Sequence, residues 1–200
     1  KEAPWFPVTK TSVIPSVIPQ HFKPRQGRPE NKKPVALHIG LAENKNLKGH
    51  AEALVGLDVH MRIIGEPSNA DRTLLRALNI DCSWVSRLTD EEMQAEYANA
   101  DLLLFASKLE GFGMPIIEAQ TVGVPVITSD LDPMGEVAGT GALLSNPEDS
   151  QTIKACIKRV LTDEDLQASL IAAGHENVKR YSPAEAARQH QELYEQLTHA

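Results

Sequence analysis

Thiols are scarce in this chain, and the two present, Cys82 and Cys156, stand far apart with no Cys-x-x-Cys pair. A disulfide framework and a cysteine zinc site are therefore unsupported, and reduced thiols in a cytoplasmic setting are the expectation. The seven histidines form neither His-x-x-x-His nor a cluster with acids at metal-ligand spacing, so no metal site is predicted. Positive charge is also short: Lys and Arg number 20 against 27 Asp and Glu, for a formal net charge of −7. With no basic stripe, a nucleic-acid partner is not expected. No apolar stretch approaches the roughly 20 residues of a membrane span, and the first residues lack a signal-peptide pattern. No Gly-x-Gly-x-x-Gly follows the first predicted strand, and Gly40 to Gly49 does not make a Walker loop, which removes the main support for NAD binding and for P-loop hydrolysis. Internal repeats, heptads and low-complexity tracts are absent too.

Proline is plentiful but concentrated: more than half of the thirteen fall in residues 1–34, too many for regular structure and suited to an extended connector. Residues 1–10 read equally well as a tail. From Val35 the pattern becomes regular, with strands at 35–39, 59–64, 80–85, 101–106, 125–128 and 142–144. Helices are predicted near 47–55, 69–77 and 90–98, and another ends near 122. In the last third, Ile153, Cys156, Ile157, Val160 and Leu161 share one helical face. A further helix is predicted from 163 to its end at Gly174, and a last one over 183–197. Thr89 with Glu92 and Ser182 with Glu185 have capping-box spacing, and Pro183 suits a first helical position. Strands alternating with helices imply right-handed crossovers and a parallel sheet covered on both faces. The length suits one such core. The predicted class is α/β, a Rossmann-like parallel sheet sandwiched by helices over residues 35–200, preceded by the connector 1–34.

The chemistry concentrates in Glu110-Gly111-Phe112-Gly113-Met114-Pro115-Ile116-Ile117-Glu118. The apolar run Leu102-Leu103-Leu104-Phe105-Ala106 before it reads as a strand buried on both faces. Glu110 then falls just past that strand's carboxyl end, and Pro115 suits the first turn of a helix. Such a helix aims its positive end, and the N–H groups of Phe112, Gly113 and Met114, at the strand mouth, where an anion is stabilised. Glu118, about one turn in, is placed to accept hydroxyls beside that anion. Two acids flanking an anion site describe a pocket for a nucleotide sugar.

This segment resembles the Glu-x7-Glu motif of retaining, GT-B-fold glycosyltransferases of the group 1 (family 4) type. The likeness extends to the strand Gly123-Val124-Pro125-Val126-Ile127-Thr128-Ser129, to Glu136-Val137-Ala138-Gly139 with Ala142-Leu143-Leu144, which resemble the loop and strand that follow, and upstream to Ile39-Gly40 with Asn44-Lys45-Asn46-Leu47. Val13 to Pro19 with Phe22 resembles the family's interdomain linker. The resemblance implies the C-terminal, donor-binding half of a two-domain enzyme, with the N-terminal acceptor domain lying outside this chain. It implies Lys45 as the cation on the donor diphosphate, Gly40 as the strand-end glycine of that site, Glu110 near the donor sugar and Glu118 on the ribose. Trp84-Val85-Ser86-Arg87-Leu88 corresponds to the base-contacting region, where Arg87 is either a base contact or a solvated arginine. Many relatives carry Arg directly after the strand-end glycine, where this chain has Leu41. The implied reaction is retaining transfer from a nucleotide-diphosphate sugar to a glycan or lipid-linked acceptor. It is expected to need no metal or other cofactor, in an enzyme that is cytoplasmic or peripheral to the inner membrane. Two alternatives stay open: a non-catalytic nucleotide-sugar sensor or assembly module, toward which Leu41 leans, and another GT-B enzyme such as a nucleotide-sugar epimerase or phosphorylase.

Overall fold

Short apolar runs bounded by glycine, proline and aspartate form six strands: β1 (Val35–Ile39), β2 (His60–Ile64), β3 (Cys82–Val85), β4 (Leu102–Phe105), β5 (Val126–Ser129) and β6 (Ala142–Ser145). The computed structural model describes residues 12–198, so the tail reading of residues 1–10 lies outside the described residues. The six strands make one parallel sheet ordered β3-β2-β1-β4-β5-β6. Every residue of β4 and β5 is buried, as a continuous apolar run requires of central parallel strands. Their side chains alternate between two cores. Leu102, Leu104 and Ile127 face one; Leu103, Phe105 and Val126 face the other. Fully burying a leucine such as Leu103 contributes roughly 1.5–3 kcal/mol.

Helices α1 (Leu47–Leu54), α2 (Asn69–Ala77), α3 (Asp90–Ala98), α4 (Met114–Val122), α5 (Met134–Ala138), α6 (Ser150–Thr162), α7 (Glu164–Asn177) and α8 (Pro183–Thr198) cover the sheet. The α1 and α6 residues Ala51, Leu54, Ile153 and Ile157 pack in one core, with Cys156 partly buried against them as its helical face predicted. Ile116, Ile117 and Val122 of α4 pack in the other. Strand order reverses between β1 and β4, so the crossovers that leave these two neighbours diverge and open a mouth at their carboxyl ends.

Caps set several helix boundaries. Thr89 and Glu92 form the predicted capping box on α3, and Ser68 with Asp71 forms another on α2. At α8 only half of the predicted box forms. The Glu185 N–H donates to Ser182 Oγ at 3.2 Å, whereas the Glu185 carboxylate accepts from Arg188 and Gln189. Two further expectations are corrected. The segment around Glu136-Val137-Ala138 is the short helix α5, not a loop. And α7 does not end at Gly174 but runs to Asn177 and into a 3-10 turn over Val178–Tyr181. Gly174 is small for packing: a Cβ on Gly141 would lie 2.6 Å from its Cα.

Residues 12–34 contain no helix or strand, but they are fastened to the domain. The Ile18 amide donates to the Tyr181 carbonyl at 3.0 Å and the Arg25 amide to the Val122 carbonyl at 2.9 Å. Phe22 is buried edge-on against Tyr97.

Candidate active site

Two loops meet at the mouth between β1 and β4. The first, Gly40 to Asn46, is laced to the second, Ala106 to Gly113, by asparagines. Asn44 Nδ2 donates to the Leu109 carbonyl at 2.7 Å, and the Lys108 amide donates to the Asn44 carbonyl at 2.8 Å. Asn46, buried and left-handed at φ 59°, donates from Nδ2 to the carbonyls of Ala106 (3.0 Å) and Pro147 (2.8 Å). Asparagine tolerates that conformation better than most side chains, and its amide satisfies carbonyls that would otherwise be buried unpaired.

This lacing places Lys45 Nζ 2.7 Å from Glu110 Oε1, with the two side chains 21% and 10% exposed. The ammonium also lies 4.9 Å from the centroid of the Phe105 ring, within reach of a cation–π attraction. Gly40 explains how the lysine lies back across the mouth. A Cβ there would stand 3.2 Å from Lys45 Cγ and Cε, and its φ of +85° favours glycine. Lys45, Glu110 and Gly40 are thus brought together.

Gly113 caps α4 at φ 106°, with no side chain bonded to the helix end. Among the described residues, the amides of Phe112, Gly113 and Met114 donate to no protein acceptor. They are free donors at the positive end of a helix dipole. The Phe112 ring itself turns away, edge-on to Tyr181 at 5.6 Å between centroids. One turn into α4, Glu118 Oε2 accepts a 2.6 Å hydrogen bond from the Tyr97 hydroxyl. Burial raises the Glu118 carboxyl above its ordinary value of 4.5, and the Tyr97 hydrogen bond offsets only part of that. A carboxyl with a raised folded value favours folding below the unfolded value, and that contribution fades as pH climbs through the folded one. Glu118→Gln is therefore expected to raise Tm at pH 7, with the gain vanishing below about pH 4.5. Melts across that range check it; equal Tm values at pH 7 would show that the carboxylate carries no folding cost.

Arg87 is not gathered in. It follows edge strand β3, exposed, at φ 59°, and among the described residues it makes no hydrogen bond or ion pair. The neighbouring Trp84 ring is covered instead by the Arg72 guanidinium at 5.1 Å. Leu41 turns inward: it packs against the core and lies 2.9 Å from where a Gly65 Cβ would stand. A cleft of about 790 Å³ between the proline-rich segment and α8 touches the motif loop at Gly111 and Phe112 but includes none of Lys45, Glu110, Glu118 and Arg87. Sequence reasoning missed Tyr97 as the partner of Glu118 and the lacing roles of Asn44 and Asn46. It quoted both asparagines, yet nothing local distinguishes a lacing asparagine from a turn residue. Among the described residues, no three His, Cys, Asp or Glu side chains group to hold a metal ion, and no helix is long and apolar enough to cross a membrane.

A cation–carboxylate pair and free helix amides at the switch point of a parallel sheet define the class, a Rossmann-like domain built to receive an anionic ligand. The chain belongs to the glycosyl transferases group 1 family, whose model matches residues 20–177. It is 32% identical over 159 residues to the O-antigen chain mannosyltransferase B of Escherichia coli, a match covering 74% of this chain and 42% of that protein. Among solved structures, sucrose-phosphate synthase from Thermosynechococcus elongatus superposes with a TM-score of 0.80 at 22% identity, over 92% of this chain and 52% of that one. Anabaena Alr3699/HepE, solved with UDP and glucose, superposes with a TM-score of 0.67 at 20% identity, over 82% and 48% respectively. The GT-B fold expectation is met by these likenesses, and the chain spans about half the length of these three proteins.

Proposed function

We propose that this chain is the donor-binding half of a retaining glycosyltransferase and that it holds a nucleotide-diphosphate sugar across the β1/β4 mouth. The observation that carries the reading is the Lys45–Glu110 pair beside the free N-terminal amides of α4. Lys45 and the amides of Phe112, Gly113 and Met114 would spread the charge that builds on the departing diphosphate, which is where protein dipoles and cations accelerate transfer most. The ion pair with Glu110 already holds Lys45 in place, so the lysine loses little freedom when a phosphate replaces the carboxylate as partner. The same carboxylate would then be available to a hydroxyl of the donor sugar. Glu118, freed from Tyr97, would accept the ribose hydroxyls, and Arg87 stands at the edge where the base would lie. With positive charge supplied by side chain and backbone, the transfer is proposed to run without a metal. The acceptor, a glycan or lipid-linked saccharide, would be held mainly by a second domain. We assign the whole enzyme to the cytoplasm or the cytoplasmic membrane surface.

Leu41 favours a second reading, a domain that binds the nucleotide sugar without transferring it. Its inward packing leaves Lys45 with no neighbouring cation in that loop to share the diphosphate.

Calorimetric titration with UDP, GDP and ADP, repeated on Glu118→Ala, tests the reading. One nucleotide is expected to bind selectively, and loss of the ribose contacts to weaken it by about tenfold. Equal binding of all three, indifferent to the substitution, would sink the assignment. Selective binding without sugar transfer by the two-domain enzyme would favour the second reading.

A further inference from the structure

His38 and His50 take no part in the chemistry above, yet both rings are fully buried and touch each other. Nδ1 of one lies 2.8 Å from Nδ1 of the other, with ring planes at 81°. Two ring nitrogens at that distance need one proton between them, so one ring carries Nδ1–H and the other accepts. Burial keeps both neutral, pushing His38 down to about 4 and His50 well below its ordinary value, and the Lys45 charge adds to the effect at His38. The main chain of Gly40 and of Ala106 lies close enough to favour a proton on the rings, but among the described residues neither Nε2 has a hydrogen-bond partner. Two orphaned buried nitrogens are costly, and an apolar pair would fill the space without that cost. The pair is therefore poorly explained by stability alone.

Its position supplies the explanation. His38 lies on β1 two residues before Gly40, and His50 lies in the first turn of α1, its amide donating to the Asn46 carbonyl at 3.0 Å. Between them runs the loop that carries Lys45. The ring–ring bond therefore spans the two ends of that loop, while Asn46 fastens its end to β4 through Ala106. We propose that the His38–His50 hydrogen bond is a clasp that closes the Gly40–Asn46 loop and sets the position of Lys45 Nζ, making both histidines positioning residues for the donor diphosphate. The link to diphosphate rests on the function proposed above; the link to Lys45 does not.

The test uses His50→Leu, which removes the bond, and His50→Asn, whose amide can take the place of Nδ1. Lys45 sits by the Phe105 ring, so its Cε protons are expected to be shifted upfield by ring current in the unsubstituted chain. His50→Leu should abolish that shift and weaken the best-bound of UDP, GDP and ADP by about tenfold; His50→Asn should restore both. In a Lys45→Ala background, His50→Leu should change affinity no further. An unmoved Lys45 resonance in folded His50→Leu, or an equal loss of affinity with and without Lys45, would overturn the clasp. If Lys45→Ala alone leaves binding unchanged, the donor reading fails while the resonance still decides the clasp. Should His50→Leu not fold, nitrogen-15 spectra of the unsubstituted imidazoles decide: one Nδ1–H ring and one Nε2–H ring are expected, and two Nε2–H rings would overturn the proposal.

Discussion

On the proposed donor-binding function, Lys45→Ala is expected to weaken nucleoside diphosphate binding by this chain about tenfold or more and to lower kcat of the proposed two-domain enzyme about 10²- to 10³-fold, the range for losing one transition-state donor. The kcat loss should exceed the binding loss because the diphosphate carries more negative charge as the glycosidic bond breaks than it does in the bound donor. The substitution has a second effect. Glu110, 10% exposed, loses its 2.7 Å partner, and a carboxylate left without a partner in such a place costs the fold about 1–3 kcal/mol. Glu110→Gln separates the two effects, since a neutral amide can still accept from Lys45 and leaves no stranded charge. Calorimetry and thermal melts on Lys45→Ala, Glu110→Gln and the double variant measure both. Unchanged affinity in Lys45→Ala, with the fold intact, would remove the lysine from the site.

Gly141→Ala should produce a large loss of stability from a single added methyl. Its Cβ would lie 2.6 Å from Gly174 Cα and 2.7 Å from Gly174 N, both backbone atoms of α7, and 2.6 Å from Gln120 Nε2. A side-chain tip can swing aside; a helix backbone cannot. Gln120 is itself engaged, donating to the Ala138 carbonyl at 2.8 Å and accepting from Asn177 Nδ2 at 2.8 Å. The methyl therefore pushes α7 away from the start of β6 and disturbs a buried amide network. We expect a cost of about 3 kcal/mol and a fall in Tm of roughly 6–12 °C for a chain of this size. Gly111→Ala, where an added Cβ meets nothing within 4 Å among the described residues, is the control and should stay within about 0.5 kcal/mol. Comparable melting temperatures for the two variants would contradict the packing described here.

The strands and most helices were legible because their signals are local. A run such as Leu102 to Phe105 can satisfy a parallel sheet and little else, and Thr89 with Glu92 marks a helix start by itself. What escaped depends on a distant partner. Gly174 reads as a helix stop, since glycine commonly ends helices, and only its contact with Gly141 shows that it is spaced for close packing. Glu185 has the right offset from Ser182, but Arg188 and Gln189 compete for its carboxylate. At the site, Glu110, Lys45, Gly113 and Glu118 were singled out by their order along the chain and by the family resemblance. The facts that Lys45 meets Glu110, that Glu118 meets Tyr97 and that His38 meets His50 depend on crossovers that no local pattern encodes.

The fastening of the proline-rich segment bears on motion. Ile18 is held to Tyr181, Phe22 is sunk in the core, and Arg25 is bonded to Val122 and, through Nη1 at 2.6 Å, to the Ala100 carbonyl. The Arg25–Val122 bond ties the segment to the end of α4, the helix that carries Glu118. Residues 18–25 therefore travel with the domain, and any hinge on this side must lie ahead of Ile18, in a stretch where Pro15 already restricts one backbone torsion.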